Sequence, residues 1–379
     1  MDAPTPFEIA VPEARLQHIR AGLRAADITY APPGSGWAYG VDAAYLRELV
    51  DYWLDVYDWR RWEAHLNRLP QFSARIDEVD VRFQHIRGSG GRGPILMTHG
   101  WPGSILEFDQ AAERLAFPER FGGRAEDGFD LVIPSLPGFG FSSRPTSPIG
   151  PRRVAEMWRA LMVDHLGHDR FFLQGGDFGS AVSSWLAHDA PEHVAGLHLN
   201  LCIPQPVPAS EAVEGEVEWR AAYEAVQRRE SAYMLEHMTK PQTIGAALSA
   251  SPVAFAAWVI EKFHGWADTG GDIESRFSKD QLITNLMTYL VNDAVSSSIW
   301  MYAGTAAEAA AGRLSGLKVT VPTGVGLYPA EFLPAAPREA MARNWNLVRL
   351  TRMLAGGHFA AFEEPAAFAD DVRQFFLSL

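Results

Sequence analysis

Apolar residues recur at three- and four-residue intervals between positions 41 and 54. Tyr45, Leu46, Leu49, Trp53 and Leu54 form one stripe, and that spacing predicts an amphipathic helix. Pro32-Pro33-Gly34-Ser35-Gly36 breaks the chain just before it. Trp37, Trp53, Trp59 and Trp62 are too apolar to stay in water, so residues 1–80 are expected to wrap another unit as a helical meander. From about residue 76 the period changes to two. The alternation in Ile76-Asp-Glu-Val-Asp-Val-Arg-Phe-Gln-His-Ile predicts a strand or hairpin. Four short continuous apolar runs follow: Ile95–Met97, Leu131–Ile133, Phe171–Leu173 and Val194–Leu201. Helical stretches and turn residues separate them. Apolar strands alternating with helices predict a mostly parallel sheet covered on both faces. After Pro204-Gln-Pro-Val-Pro208 the pattern is helical to about residue 312. Strand-like runs return at Val319–Val325 and Leu347–Leu354, and a closing amphipathic helix ends at Leu379. The predicted organisation is an α/β core, 81–204 and 313–379, interrupted by a helical insertion at 205–312.

Composition narrows the function classes. The 379 residues carry 33 Lys plus Arg against 46 Asp plus Glu, a net charge of −13 that repels phosphate backbones and anionic lipid. Nucleic-acid binding is therefore not expected. The one cysteine, Cys202, cannot form an internal disulfide, and there is no zinc-type Cys/His grouping. Apolar runs such as Val253–Ile260 are far shorter than the roughly 18 residues of a membrane span. The first residues show neither a basic start nor an apolar block. The expectation is a cytoplasmic protein without a membrane anchor.

Candidate chemistry begins at Phe171-Phe-Leu-Gln-Gly-Gly-Asp177-Phe-Gly179-Ser180. This has the strand-to-helix form Gly-x-nucleophile-x-Gly, with Asp177 in the central position. Ser180 lies outside that position, which argues against a serine nucleophile. A carboxylate on such a turn can attack carbon and form an ester, and the helix that follows is expected to aim N–H groups at it and keep it ionised. The loop His99-Gly100-Trp101-Pro102-Gly103-Ser104 follows the strand ending at Thr98. Loops in that place supply one oxyanion-hole N–H, and the residue after the nucleophile supplies another, here the backbones of Trp101 and Phe178. His99 reads as structural. His358, in Ala355-Gly-Gly-His-Phe-Ala-Ala, follows the last strand-like run and suits a general base. Glu331, after the preceding run, is placed to accept its second N–H. Glu363 and Glu364 are nearer in sequence, but they precede Pro365 at an expected helix start, where carboxylates favour the dipole.

Together these motifs resemble the microsomal-type and juvenile-hormone-type epoxide hydrolases. The resemblance runs from about Pro6 to the end. It includes Gly36-Trp-Ala-Tyr-Gly, Tyr57-Asp-Trp-Arg60, Leu66-Asn-Arg-Leu-Pro-Gln-Phe, the His99–Ser104 loop, Leu136-Pro-Gly-Phe-Gly-Phe-Ser142, the Asp177 turn and the His358 block. It implies an α/β-hydrolase fold with a helical cap and an N-terminal meander, and the order nucleophile, acid, histidine is that of the fold. It also implies two cap tyrosines over the substrate oxygen, matched by Tyr233 and Tyr302. The implied chemistry is conversion of a hydrophobic epoxide to a vicinal diol, through an aspartyl ester hydrolysed by a His-activated water. No metal or organic cofactor is implied, the partners are the epoxide and water, and a homodimer stays open. Phe178 stands where relatives often carry Trp. A haloalkane or haloacid dehalogenase shares the Asp–Glu–His plan, but Trp101 and Phe178 offer weaker halide support. A non-catalytic ligand-binding protein of the same fold would tolerate loss of a triad member, and all three are present.

Overall fold

The computed structural model describes residues 3–379. Nine strands make one sheet: β1 (Thr5–Phe7), β2 (Gln71–Ile76), β3 (Val79–Ile86), β4 (Arg92–Thr98), β5 (Phe129–Pro134), β6 (Phe171–Gly175), β7 (Val194–Leu199), β8 (Val319–Leu327) and β9 (Trp345–Arg352). Their spatial order is β1-β2-β3-β5-β4-β6-β7-β8-β9. The first three strands and β5 pair antiparallel, and everything from β5 to β9 pairs parallel. Every residue of β5 is buried, as are the last five of β4, because helices cover both faces. The chain order reverses around β4, so the loop leaving β4 and the turn leaving β6 meet at one end of the sheet. That is the crevice at which open α/β sheets hold ligands.

The N-terminal segment contributes β1 to the sheet as well as the helices Glu13–Ala25, Ala43–Asp55 and Trp59–Leu66. Residue 80, the expected edge of the meander, lies inside β3, whose hairpin with β2 begins at Gln71. The stripe at 43–55 buries Leu46, Leu49, Val50 and Trp53. Trp37 lies flat against His264 of the insertion at 3.9 Å between ring centres. The Tyr57 hydroxyl meets the Thr284 hydroxyl at 3.0 Å, and the Tyr52 hydroxyl donates to Asp280 at 3.0 Å. The meander thus clasps the helical insertion.

That insertion lies between β7 and β8 and contains the helices Glu216–Glu230, Ala232–Thr239, Pro241–Ser249, Pro252–Trp266, Lys279–Leu290 and Ala294–Ala310. Among the described residues no single helix is long and apolar enough to cross a membrane. The chain bends by 115° between the helices Pro241–Ser249 and Pro252–Trp266, and the second buries Val253, Phe255, Ala256, Val259, Ile260, Phe263 and Trp266. The helix Ala294–Ala310 touches the core at Gly304, where a Cβ would lie 2.2 Å from the carbonyl carbon of Ile149. Only glycine permits that approach. Gly304→Ala should therefore push the helix off the core and cost about 1–3 kcal/mol, read as a lower urea midpoint at unchanged slope.

Candidate active site

Four loops converge at the carboxyl ends of β4, β6, β8 and β9. The turn after β6 holds Asp177 at φ 48° and ψ −125°, a left-handed conformation unusual for a residue with a side chain. Such strain costs on the order of 1–3 kcal/mol and persists only where neighbours hold it. Here the hold is close backbone contact. A Cβ on Gly179 would lie 1.8 Å from the carbonyl oxygen of Thr98, so the first turn of the helix Phe178–Asp189 presses directly on β4. A Cβ on Gly100 would lie 2.2 Å from Asp177 Oδ1. That bare backbone lets the loop after β4 close on the carboxylate, and the Trp101 N–H donates to Oδ1 at 3.0 Å.

The expected contribution of the following helix differs. Asp177 makes no side-chain capping bond to the first turn. The Phe178 N–H makes no hydrogen bond to the carboxylate, and the Phe178 ring instead meets Tyr302 edge-on at 4.7 Å. The reason is geometric: at the sharp turn the side chain swings toward the β4 loop, away from the helix axis. His99 lies buried behind that loop. Its Nε2 accepts the Leu136 N–H at 3.2 Å, so its Nδ1–H donates to the Gly100 carbonyl at 3.0 Å. Burial lowers its pKa to about 4, so it stays neutral and shapes the loop.

His358 is buried, with Nδ1 3.0 Å from Oε2 and 3.2 Å from Oε1 of Glu331. A proton on Nδ1 satisfies that carboxylate and turns Nε2 toward Asp177, 3.5 Å from Oδ2. Nε2 has no hydrogen-bond partner. Burial works against the imidazolium, yet Glu331 and Asp177 outweigh it and hold the His358 pKa well above its ordinary value. The resting ring is therefore a cation between two carboxylates.

Glu363 and Glu364 stand at the start of the helix Pro365–Leu377 as expected, with Glu364 at its N-cap, and each also has tertiary partners. Glu363 is buried and accepts three N–H groups: Asp268 at 2.7 Å, Gly357 at 2.9 Å and Phe359 at 2.9 Å. It ties both neighbours of His358 to the loop after the insertion helix Pro252–Trp266, and burial outweighs those donors to raise its pKa to about 7. Glu364 pairs with Arg276. Asp268 lies 95 positions from Glu363 and Arg276 lies 88 from Glu364, so no local pattern announces those two partners.

Above Asp177 stand Tyr233, on the helix Ala232–Thr239, and the buried Tyr302, on Ala294–Ala310. Their rings meet edge-on at 5.8 Å, and both pKa values are raised, chiefly by burial and further by the Asp177 charge. They remain protonated donors at neutral pH. The Trp101 ring, expected only for its backbone, is fully buried against both. It stacks on Tyr233 at 5.2 Å and meets Tyr302 edge-on at 5.8 Å. Trp266 packs against Tyr233 at 5.3 Å and His358 at 5.0 Å. His237 completes the cage; its Nε2 accepts the Trp258 indole N–H at 3.1 Å, and burial lowers its pKa to about 3.

Glu107 enters the site without having been singled out by sequence. Ser104-Ile-Leu-Glu107 reads as a capping box, and the structure bears the local bonds: Ser104 Oγ accepts the Leu106 N–H, and the Glu107 carboxylate accepts the Ser104 N–H. The same carboxyl also lines a small cavity with Asp177, His358 and Asn200.

Comparison with known proteins places the chain. A profile described as epoxide hydrolase N terminus matches residues 4–108, and one described as alpha/beta hydrolase fold matches residues 93–239. A protein of Stigmatella aurantiaca is 41% identical over 99% of this chain and 85% of its own length. Epoxide hydrolase 1 of Sus scrofa is 33% identical over 98% of this chain and 88% of its own. The crystal structure of juvenile hormone epoxide hydrolase from the silkworm Bombyx mori matches with a TM-score of 0.89 at 29% identity, covering 100% of this chain and 96% of that one.

The charge arrangement predicts a titration. The His358 pKa is raised in the folded state, so the pair contributes its full stability below the unfolded value of about 6.5. That contribution is lost as pH climbs through the folded value. In NMR the His358 ring should stay imidazolium at pH 7.5. Glu331→Gln should lower its titration midpoint, and an unchanged midpoint would remove Glu331 as the controlling charge.

Proposed function

The chain belongs to the epoxide hydrolase family of α/β hydrolases, and from that premise we propose that it opens a hydrophobic epoxide to a vicinal diol in two covalent steps. The observation that carries this reading is one carboxylate with differently engaged oxygens. Asp177 Oδ1 is bonded to the Trp101 N–H, while Oδ2 lies 3.5 Å from His358 Nε2 beneath two phenols.

In the first step Oδ2 attacks an oxirane carbon and the carbon–oxygen bond breaks. A phenol, Tyr233 or Tyr302, gives its proton to the departing oxygen, because a bare alkoxide leaves poorly and a phenol is a far stronger acid than water. Oδ1 becomes the ester carbonyl, already on its N–H donor. Esterification removes one of the two negative charges that hold the proton on His358. The imidazolium becomes the stronger acid and gives up its proton, which balances the one the phenol gave, so a free imidazole stands ready when a base is needed.

In the second step neutral His358, oriented by Glu331, takes a proton from water, whose oxygen attacks Asp177 Cγ. Trp101 N–H, joined by Phe178 N–H once the carbonyl carbon becomes tetrahedral, stabilises the oxyanion; one such donor is typically worth about 10²–10³ in rate. The acyl carbon–oxygen bond breaks, the diol leaves, and the water oxygen remains on Asp177. The aromatic walls of Trp101, Trp266 and Phe178 support a hydrophobic substrate. A cytoplasmic setting belongs to the same reading, supported by a single cysteine that is buried and unpaired.

General-base assistance is typically worth about 10²–10⁴. His358→Gln should therefore accumulate an ester with styrene-type epoxides, visible as an intact-mass adduct that maps to Asp177. Absence of that adduct while diol still forms would sink the covalent route. Tyr302→Phe and Tyr233→Phe should each slow ester formation by about tenfold or more, leaving ester hydrolysis near wild type in single-turnover quench experiments.

A further inference from the structure

Ester hydrolysis demands more of its water than a proton acceptor. The oxygen lone pair must point at Asp177 Cγ, which requires both O–H bonds to be fixed. His358 Nε2 accounts for one. The small cavity lined by Asp177, His358, Asn200, Gly100 and Glu107 measures about 10 Å³, close to the least space that admits a single water. Its polar lining converges from four chain segments. Among those side chains the two-step route leaves Asn200 and Glu107 without a role, and the Asn200 oxygen is already engaged by the Gln174 amide at 3.0 Å.

Its placement is enforced. A Cβ on Gly103 would collide with Glu107 Oε1, at 1.4 Å, so the glycine at 103 is what lets the carboxyl lie against the loop. One carboxyl oxygen accepts the Ser104 N–H. The other has no side-chain hydrogen-bond partner among the described residues. A carboxyl group carried into a site this enclosed is costly unless something uses it.

We propose that Glu107 is a positioning residue for ester hydrolysis, accepting the second O–H of the water that His358 deprotonates. This rests on the two-step reading above. The water oxygen bonds to Asp177 Cγ and one proton passes to His358 Nε2. The other, held by Glu107 during attack, leaves with the departing diol oxygen as the acyl carbon–oxygen bond breaks. Asp177 is again a carboxylate, and Glu107 gains no proton.

Several ionisable groups face Glu107: Asp177 on the turn after β6, His358 and Glu363 after β9, and Tyr289 on the helix Lys279–Leu290. Burial raises the Glu107 pKa to about 8, with Asp177 adding to the rise and His358 opposing it. An ionised carboxylate is the better acceptor, so ester hydrolysis should quicken as pH rises through about 8.

Single-turnover rapid quench with styrene oxide separates the steps by following the Asp177 adduct. Glu107→Leu should form the ester within about threefold of wild type and hydrolyse it about 10²-fold more slowly, the scale on which a misplaced reactant costs rate. Glu107→Gln keeps the capping bond and an acceptor oxygen. It should retain the fold and hydrolyse the ester within about tenfold of wild type, without the rise through pH 8. Equal slowing of both steps in Glu107→Leu, or a wild-type pH profile in Glu107→Gln, would overturn the assignment. If Glu107→Leu does not fold, the Glu107→Gln profile decides alone. Failure of the wild-type enzyme to form any adduct would count against the two-step reading itself.

Discussion

The shared charge of His358 governs this site. Its ring lies between Glu331, 3.0 Å from Nδ1, and Asp177, 3.5 Å from Nε2. Neither carboxylate alone sets the chemistry. Glu331 keeps the ring oriented. In the two-step route proposed above, alkylation removes the Asp177 charge, so the basicity of His358 depends on whether that carboxylate has reacted.

That arrangement requires loops from distant parts of the chain to stand within ångströms of one another. The contact of Gly179 with Thr98 sets the elbow on β4, and Glu363 straps the His358 loop to the loop after the insertion helix Pro252–Trp266. The His358 N–H also bonds the Trp266 carbonyl at 3.0 Å. The base and the lid are therefore one assembly. The meander closes it from outside: Tyr52, Tyr57 and Trp37 hold the insertion helices through long-range contacts. Burial inside this enclosure keeps both phenols protonated, since water that would solvate a phenolate is excluded.

Much of this was legible beforehand, for a definite reason. The apolar runs at 95–97, 131–133, 171–173 and 194–201 correspond to β4, β5, β6 and β7, because a strand buried on both faces has to be apolar at every position. The stripe at Tyr45–Leu54 became the helix Ala43–Asp55, since one face meets the core and the other meets water. β1 escaped notice because a three-residue edge strand carries too little pattern to register. Glu107 and Glu363 escaped for another reason. Each sits in a local context that reads as helix-end chemistry, and the sites they face are built from residues far away in the chain.

The amino-acid order alone determined the strand and helix succession, the acidic residue on a glycine-flanked turn, and the order Asp177, Glu331, His358 along the chain. These depend on backbone propensity and apolar period, which act over a few neighbouring residues. The tertiary structure alone decided that Oδ1 of Asp177 meets the Trp101 N–H while the Phe178 N–H stays clear, that the Trp101 indole packs against both phenols, and that a second carboxyl borders the cavity beside Asp177 and His358. Those outcomes turn on separations of a few ångströms between groups far apart in sequence, where Coulomb energy and desolvation change steeply and local pattern carries no information.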